Sequence, residues 1–229
     1  QIFGSFSLME ASLCMAKITA LKVQKKNPNR INVYLDGTFA FGLSRIVAAW
    51  LRTGQELSDE KIAELQAQDT YEVAYQKAVH FISYRSRTSQ EVQRKLKGMD
   101  FEPAVIEDVI ERLKNNHFLG DAGYAQRWVE NRVDLKPRSH RMMAMELRQK
   151  GIADEDIDRA LENAPEDEEL AYEALKRRIH RYLRMDYSDY KRKAGAYLGR
   201  KGFSYGIIPS VLKQVWDEEQ EELLPEQEQ

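Results

Sequence analysis

The chain has 229 residues, enough for one ordinary domain or a few small modules sharing neighbouring cores. Charged residues make up 31% and the net charge is −2, which excludes a protein that holds nucleic acid through its average charge alone. One cysteine, Cys14, excludes an internal disulfide and a CxxC zinc or redox pair.

The elements are predicted in chain order as follows. Residues 1–16 form a flexible leader; its first 15 residues lack the basic region of a signal peptide, and Met9 and Met15 are alternative starts. Ile18, Leu21 and Val23 then suggest a strand, closed by a turn at Asn27-Pro28-Asn29-Arg30. Ile31, Val33 and Leu35 alternate up to Asp36-Gly37, a two-residue hairpin signal, and Phe39 and Phe41 resume the alternation. The expected result is a three-stranded meander that needs a cover. Ser44 is placed to cap a short helix carrying Ile46, Val47 and Trp50, and Ser58 with Asp59 and Glu60 opens another.

From Tyr71 the period becomes helical and the sequence repeats. Leu96, Leu147 and Leu198 stand 51 residues apart. Phe101, Ile152 and Phe203 follow at a constant offset, as do Ile106, Ile157 and Ile208, and then Ile110, Leu161 and Leu212. Ile106, Val109, Ile110 and Leu113 make one stripe of an amphipathic helix, and their counterparts do the same. Each leucine closes the preceding helix, with Val92, Met143 or Ala194 one turn earlier. Gly151 and Gly202 fit a left-handed helix end, where the first copy has Asp100. Phe101/Ile106 has the spacing of a hydrophobic staple, Pro103 sits at the first helical position, and Thr88-x-x-Glu91 is a capping box. A further helical stretch precedes each pair, around Ala74/Ala78/Phe81, Ala125/Trp128/Val129 and Leu175/Ile179/Leu183.

The predicted fold is mainly α: three tandem three-helix repeats forming an elongated, curved solenoid, preceded by the small β-meander. The divisions are 17–69 for the meander and short helices, 70–119, 120–165 and 166–216 for the repeats, and 217–229 for an acidic tail.

No constellation asks for catalysis. His80, His117, His140 and His180 have no metal-ligand spacing, and no phosphate-binding glycine loop or nucleophile elbow occurs. Asp154, Glu155, Asp156 and Asp158 are explained by the first turn of a helix. No apolar run approaches the ~20 residues that span a bilayer. The chain is therefore read as a non-enzymatic cytoplasmic protein with no cofactor, no metal and no membrane partner.

The cations carry more. Between Ala171 and Lys201 stand ten Lys/Arg and three Asp/Glu, whereas Asp217 to Gln229 has seven acids and no base. Arg94, Lys95 and Lys97 end one middle helix, Arg148 and Lys150 the second, and Arg200 and Lys201 the third. Such cations complement a helix dipole. That leaves Lys176, Arg177, Arg178, Arg181, Arg184, Lys191, Arg192 and Lys193, interleaved with tyrosines. They suit phosphate and base contacts, an acidic protein surface, or a solvated face with snorkelling stems. Trp128 and Trp216 lie in apolar stripes and read as core.

Three segments resemble the RecX family: Ser83 to Leu96 (SYRSRTSQEVQRKL), Val109 to Val133 (VIERLKNNHFLGDAGYAQRWVENRV) and Glu146 to Ile152 (ELRQKGI). The hairpin LKVQKKNPNRINVYLDGTFAFGL is similar to the β-rich extension of some members, so the resemblance spans Ile18 to Trp216. The family often has an Arg-Gly turn where this chain has Lys136-Pro137-Arg138, and the run Met142 to Met145 is unusually soft. The resemblance implies a monomeric regulator that binds RecA filaments, restrains ATPase, strand exchange and co-protease activity in recombination, DNA repair and the SOS response, and touches single- or double-stranded DNA weakly and without sequence specificity. Arg85, Arg87, Arg138 and Arg141 join the cations above as contact candidates. Two other classes stay open: a helix-turn-helix transcription factor, mimicked by the helix pairs around Gly151 and Gly202, and a general helical scaffold.

Overall fold

The computed structural model describes residues 15–223. It contains β1 (Met15–Gln24), β2 (Asn27–Leu35), β3 (Thr38–Ser44), a 3-10 turn (Val47–Trp50) and β4 (Glu56–Ser58). The helices are α1 (Asp59–Ser83), α2 (Ser89–Lys97), α3 (Pro103–Asn115), α4 (Asp121–Leu135), α5 (His140–Gln149), α6 (Asp154–Leu161), α7 (Asp167–Lys176), α8 (Tyr187–Arg200) and α9 (Ile208–Leu223). The chain packs as two compact units. One holds the strands, α1, the end of α2 and α3 as far as Leu113; the other holds Tyr84–Arg94 and everything described from Lys114 onward.

In the first unit the strands form one antiparallel sheet of order β3-β2-β1-β4. A fourth strand therefore replaces the expected three-stranded meander. Only three residues long, β4 carries no alternation to read, yet it buries Leu57 and pairs with Met15 to Lys17. Met15 and Ala16, assigned to the leader by sequence, are thus the start of β1; the rest of the leader lies outside the described residues. The first turn is Lys25-Lys26 rather than Asn27 to Arg30. Pairing jumps from Val23↔Ile31 to Gln24↔Asn27, so Pro28 sits in a bulge where no ladder donor is needed. Asp36 and Gly37 both have positive φ, as the hairpin signal required. Ser44 caps nothing: its amide donates to the Asp69 carboxylate of α1, which also takes Arg30 Nη2 at 2.9 Å. Helix α1 starts with Ser58 as its cap and runs without a break through residues 69 and 70.

The three leucines of the repeat are fully buried, and so are Val92, Met143 and Ala194 one turn before them. Each middle helix ends in the same way. The amides of Phe101, Ile152 and Phe203 reach the carbonyls of Leu96, Leu147 and Leu198, while Asp100, Gly151 and Gly202 bond back to Lys97, Arg148 and Gly199. These are Schellman ends, and all three turn residues have positive φ, the aspartate included. The Thr88–Glu91 box closes reciprocally.

In the second unit, the core of α4 to α6 runs without interruption into that of α7 to α9. Two joints link successive modules. Thr88 Oγ1 donates to the Lys150 carbonyl at 2.8 Å, and the Ser89 amide donates to Asp121 at 2.9 Å. Fifty-one residues on along each middle helix, the Ser139 amide reaches the Lys201 carbonyl at 3.2 Å and the His140 amide reaches Asp167 at 2.7 Å. An aspartate opening one module thus satisfies an otherwise unpaired amide at the start of the previous module's middle helix. The glycine turns complete the fit. A Cβ on Gly151 would lie 2.5 Å from the Gln90 side chain, and one on Gly202 would lie 2.5 Å from Ser139 Oγ.

Two features depart from the helical reading of the third module. Helix α7 stops at Lys176, and Ile179–Arg181 is only a 3-10 turn, so Leu183 is not helical. Continued as a helix, Arg177, Arg178, Arg181 and Arg184 would stack like charges at i+3 and i+4. The acidic tail is not a separate segment as far as it is described, because α9 continues to Leu223.

Gly151→Ala and Gly54→Ala both place a side chain at positive φ, at roughly 1–2 kcal/mol, but only Gly151 has a neighbour within contact. Thermal unfolding is expected to show the larger loss for Gly151→Ala, and equal losses would contradict the joint. Leu147→Ala is expected to cost ~2–5 kcal/mol.

Candidate nucleic-acid interface

Within the second unit, cations and aromatic rings alternate along a connected track. Tyr124 and Trp128 lie one turn apart on α4 and stack with centroids 6.0 Å apart. Lys150, which caps α5, places Nζ 4.9 Å from the Trp128 ring and 3.4 Å from Glu91. One turn beyond Trp128, the Arg132 guanidinium covers that ring at 4.2 Å, and its Nε donates to Glu146 at 2.9 Å. Glu146 also accepts from Arg138. Pro137, next to Arg138, offers its carbonyl to Lys201 Nζ at 3.0 Å. Lys201, which caps α8, and Arg178 both lie over the Tyr197 ring, at 5.6 and 4.8 Å. The pattern is Lys150, Trp128, Arg132, Glu146, Arg138, Lys201, Tyr197, Arg178.

The electrostatics differ along the track. Burial pushes Glu91 up, but Lys150, the Thr88 amide and Arg85 outweigh it and hold the carboxyl below its ordinary value. Lys201 shows the opposite balance. Burial, then Arg138, Arg178, Arg132 and Lys136, push it from 10.5 down to about 8. No carboxylate bonds to Lys136, Arg178 or Lys201 among the described residues, so Glu146 is the sole paired acid of this group. Arg138 Nε is buried without a hydrogen-bond partner there, as is Trp128 Nε1.

The aromatic faces already carry cations, so a base stacking on Trp128 or Tyr197 has to displace a guanidinium or ammonium group. The arrangement therefore suits anionic phosphates better than unstacked bases. A cleft of about 300 Å³, lined by Arg85, Arg127, Trp128 and Asn131, adjoins its start.

The predicted contact residues divide. Arg138, Lys150, Arg178 and Lys201 meet on the track, with Arg85 reaching it through Glu91 and Arg177 bonding the Asp134 carbonyl beside it. Arg148 pairs with Asp154, and Arg192 and Lys193 pair with Asp189. Lys176 turns toward Glu218 and Glu219, whose hydrogen bonds push it well above the ordinary lysine value. Arg141 and Arg200 flank a different cleft of about 900 Å³, floored by Gly195, Ala196 and Gly199 and edged by the exposed Tyr205. Arg94, Arg181, Arg184 and Lys191 are exposed, Arg87 is half-buried, and Lys95 and Lys97 belong to the first unit.

Sequence reasoning missed Arg132 and Lys136 and read Trp128 only as core. Trp128 does pack against the core, but it is half-buried and carries two cations. The Trp128/Arg132 spacing of i, i+4 was the available signal. Trp216 fits the core reading, in contact with Tyr187 and Tyr190.

Family models match the chain in four places. The regulatory protein RecX N-terminal domain covers residues 16–58, and the first, second and third three-helix domains of RecX cover 74–113, 121–161 and 166–212. The chain belongs to the RecX family. Regulatory protein RecX of Bacillus subtilis (strain 168) is 32% identical over 212 residues, 91% of this chain and 80% of that protein. The Bacillus velezensis RecX is 33% identical over 214 residues, 91% and 81% of the two chains. A crystal structure of regulatory protein RecX superposes with a TM-score of 0.69 at 29% identity, covering 86% of this chain and 98% of that one. RecX from Lactobacillus salivarius gives 0.56 at 27% identity, covering 64% and 97%. The eight residues of the track all fall in the second and third three-helix domains of RecX. No helix among the described residues is long and apolar enough to cross a membrane.

The depressed Lys201 makes a direct test. Its folded value lies below the ordinary one, so the folded chain binds fewer protons between about pH 8 and 10.5. Its contribution to stability is least at pH 7 and rises through that window. A ¹³Cε-lysine titration is expected to show one resonance moving near pH 8, absent from Lys201→Met. Lysines titrating together above pH 10 would contradict the buried cluster.

Proposed function

We propose that this RecX protein is a non-enzymatic cytoplasmic regulator that binds RecA nucleoprotein filaments as a monomer. It lowers ATPase, strand exchange and co-protease activity, and touches single- or double-stranded DNA weakly and without reading sequence. Membership of a family of regulatory proteins supports this reading. The observation that carries it is the track, which spans two repeated modules and gathers Arg132, Arg138, Lys201 and Arg178 along one line, as contact with an extended polyanion requires.

A helix-turn-helix transcription factor fits less well. Such a protein leaves its turn open so that the second helix enters a groove. Here the Gly151 turn is filled by Gln90 and the Gly202 turn by Ser139 and Met142. Those turns serve as joints.

The test is RecA ATPase on single-stranded DNA, titrated with the full chain. Suppression without dependence on DNA sequence is expected. Reversing charge at Arg177, Arg178, Arg181 and Lys191 is expected to weaken that suppression severalfold at unchanged helical content. Unaltered ATPase, or recognition of one duplex sequence, defeats the reading.

A further inference from the structure

The two joints differ in one respect that the repeat makes plain. Lys150 and Lys201 occupy equivalent places, each capping a middle helix beside the start of the preceding module. At the first joint the preceding helix supplies Glu91, 3.4 Å from Lys150 and 3.4 Å from Arg85, so positive charge there has its own counter-charge. The residue 51 positions after Glu91 is Met142, and it packs against the Gly202 turn, where a Cβ would meet Met142 Cβ at 2.9 Å. The second joint therefore lacks its carboxylate at the position where the first has one.

The same joint keeps its cations, for Lys136, Arg138 and Arg178 stand 51 positions after Arg85, Arg87 and Arg127. Arg138 and Lys136 flank Pro137, whose carbonyl is the neutral acceptor for Lys201. Arg178 shares the Tyr197 ring with Lys201. Glu146 answers Arg132 and Arg138 together. Four half-buried cations, the exposed Lys136 and one paired carboxylate leave a concentrated positive potential, and Arg138 Nε is an unsatisfied donor within it. Burying like charges is costly unless a counter-ion joins them, and a guanidinium fork with an adjacent ammonium matches a tetrahedral oxyanion.

We propose that the junction of the second and third modules holds one phosphodiester group of a nucleic-acid backbone, seated between Arg178, Lys201 and Arg138 where an internal carboxylate is missing. This deepens the proposed function and rests on it for the source of the phosphate; the anion pocket itself does not. The first joint is closed to anions by Glu91. Lys201 is thus the phosphate-reading copy of a structural lysine.

The experiment compares the full chain with Met142→Glu, which restores the missing carboxylate, and Met142→Gln, of similar size without charge. Inorganic phosphate is titrated at constant ionic strength against chloride, reading the melting temperature and the Lys201 ¹³Cε resonance. Fluorescent oligodeoxythymidylate is then titrated at several salt concentrations. Wild type and Met142→Gln are expected to gain stability from phosphate and to move the lysine titration upward. Met142→Glu is expected to show neither response, and to bind the oligonucleotide roughly tenfold more weakly, with a salt slope smaller by about 0.7, the loss of one single-strand phosphate contact. Should Met142→Glu fail to fold, Lys201→Met carries the same comparison. No phosphate response in wild type, or one that persists in Met142→Glu, overturns the pocket. A normal phosphate response with unchanged oligonucleotide binding overturns the phosphodiester assignment in favour of free phosphate. Should wild type respond to phosphate yet bind no oligonucleotide, the DNA contact of the proposed function fails while the pocket stands.

Discussion

An aspartate that opens one module and takes an amide from the middle helix of the module before it is the constraint on which the second unit depends. Asp121 serves Ser89 and Asp167 serves His140. A helix start partly buried between modules has amides shielded in part from water, and leaving one unpaired costs more than a formed bond returns. The carboxylate meets that need, and its charge also suits the positive end of the helix it faces. Because the partner is fixed in the next module, the bond sets register as well as contributing energy. The glycine turns lie in the same joints, where any Cβ would strike the neighbouring helix. Each joint thus combines a directional polar bond with a steric fit, and neither tolerates a slip of one residue.

Fixed register has an electrostatic consequence. The residue capping each middle helix falls beside the start of the module before it, so Lys150 and Lys201 are carried into equivalent settings. Whether such a lysine is neutralised depends on one residue of the preceding helix, Glu91 in one case and Met142 in the other. The aromatic rings make the crowded cations tolerable, since a guanidinium over an indole face is stabilised without a carboxylate. At the far end of the chain the balance reverses: Glu218 and Glu219 of α9 take Lys176 away from the basic stretch. Acidic residues that follow the third module in sequence therefore lie against its first helix, so dense basic composition between Ala171 and Lys201 does not become one uniform basic face.

Much of the fold was legible because it is periodic. The 51-residue spacing of Leu96, Leu147 and Leu198 located all three Schellman ends, and even Asp100 takes the left-handed conformation that glycine takes in the other copies. Elements that lack period were lost. Strand β4 is too short to alternate, and the turn at Lys25-Lys26 has none of the usual turn residues, while Asn27-Pro28 has all of them yet forms a bulge. Helix α7 stops just where its continuation would stack Arg177, Arg178, Arg181 and Arg184, a clash that a hydrophobic pattern does not register. For the site, local composition pointed to the basic run, but the track is assembled from residues far apart in sequence. Arg132 was missed because its i, i+4 spacing from Trp128 counts as a signal only when the tryptophan is read as keeping a face outside the core.

Native-state hydrogen exchange at the Ser89, Ser139 and His140 amides tests the joints most directly. All three sit at helix starts, where amides ordinarily exchange through fraying at little free-energy cost. If the joints lock the modules, these amides are expected to open only with the unit as a whole, at the same free energy as the buried middle-helix amides of Met143 and Leu147. Exchange at the rate of an ordinary frayed first turn, with the helix interiors still protected, would contradict a register fixed by the aspartates.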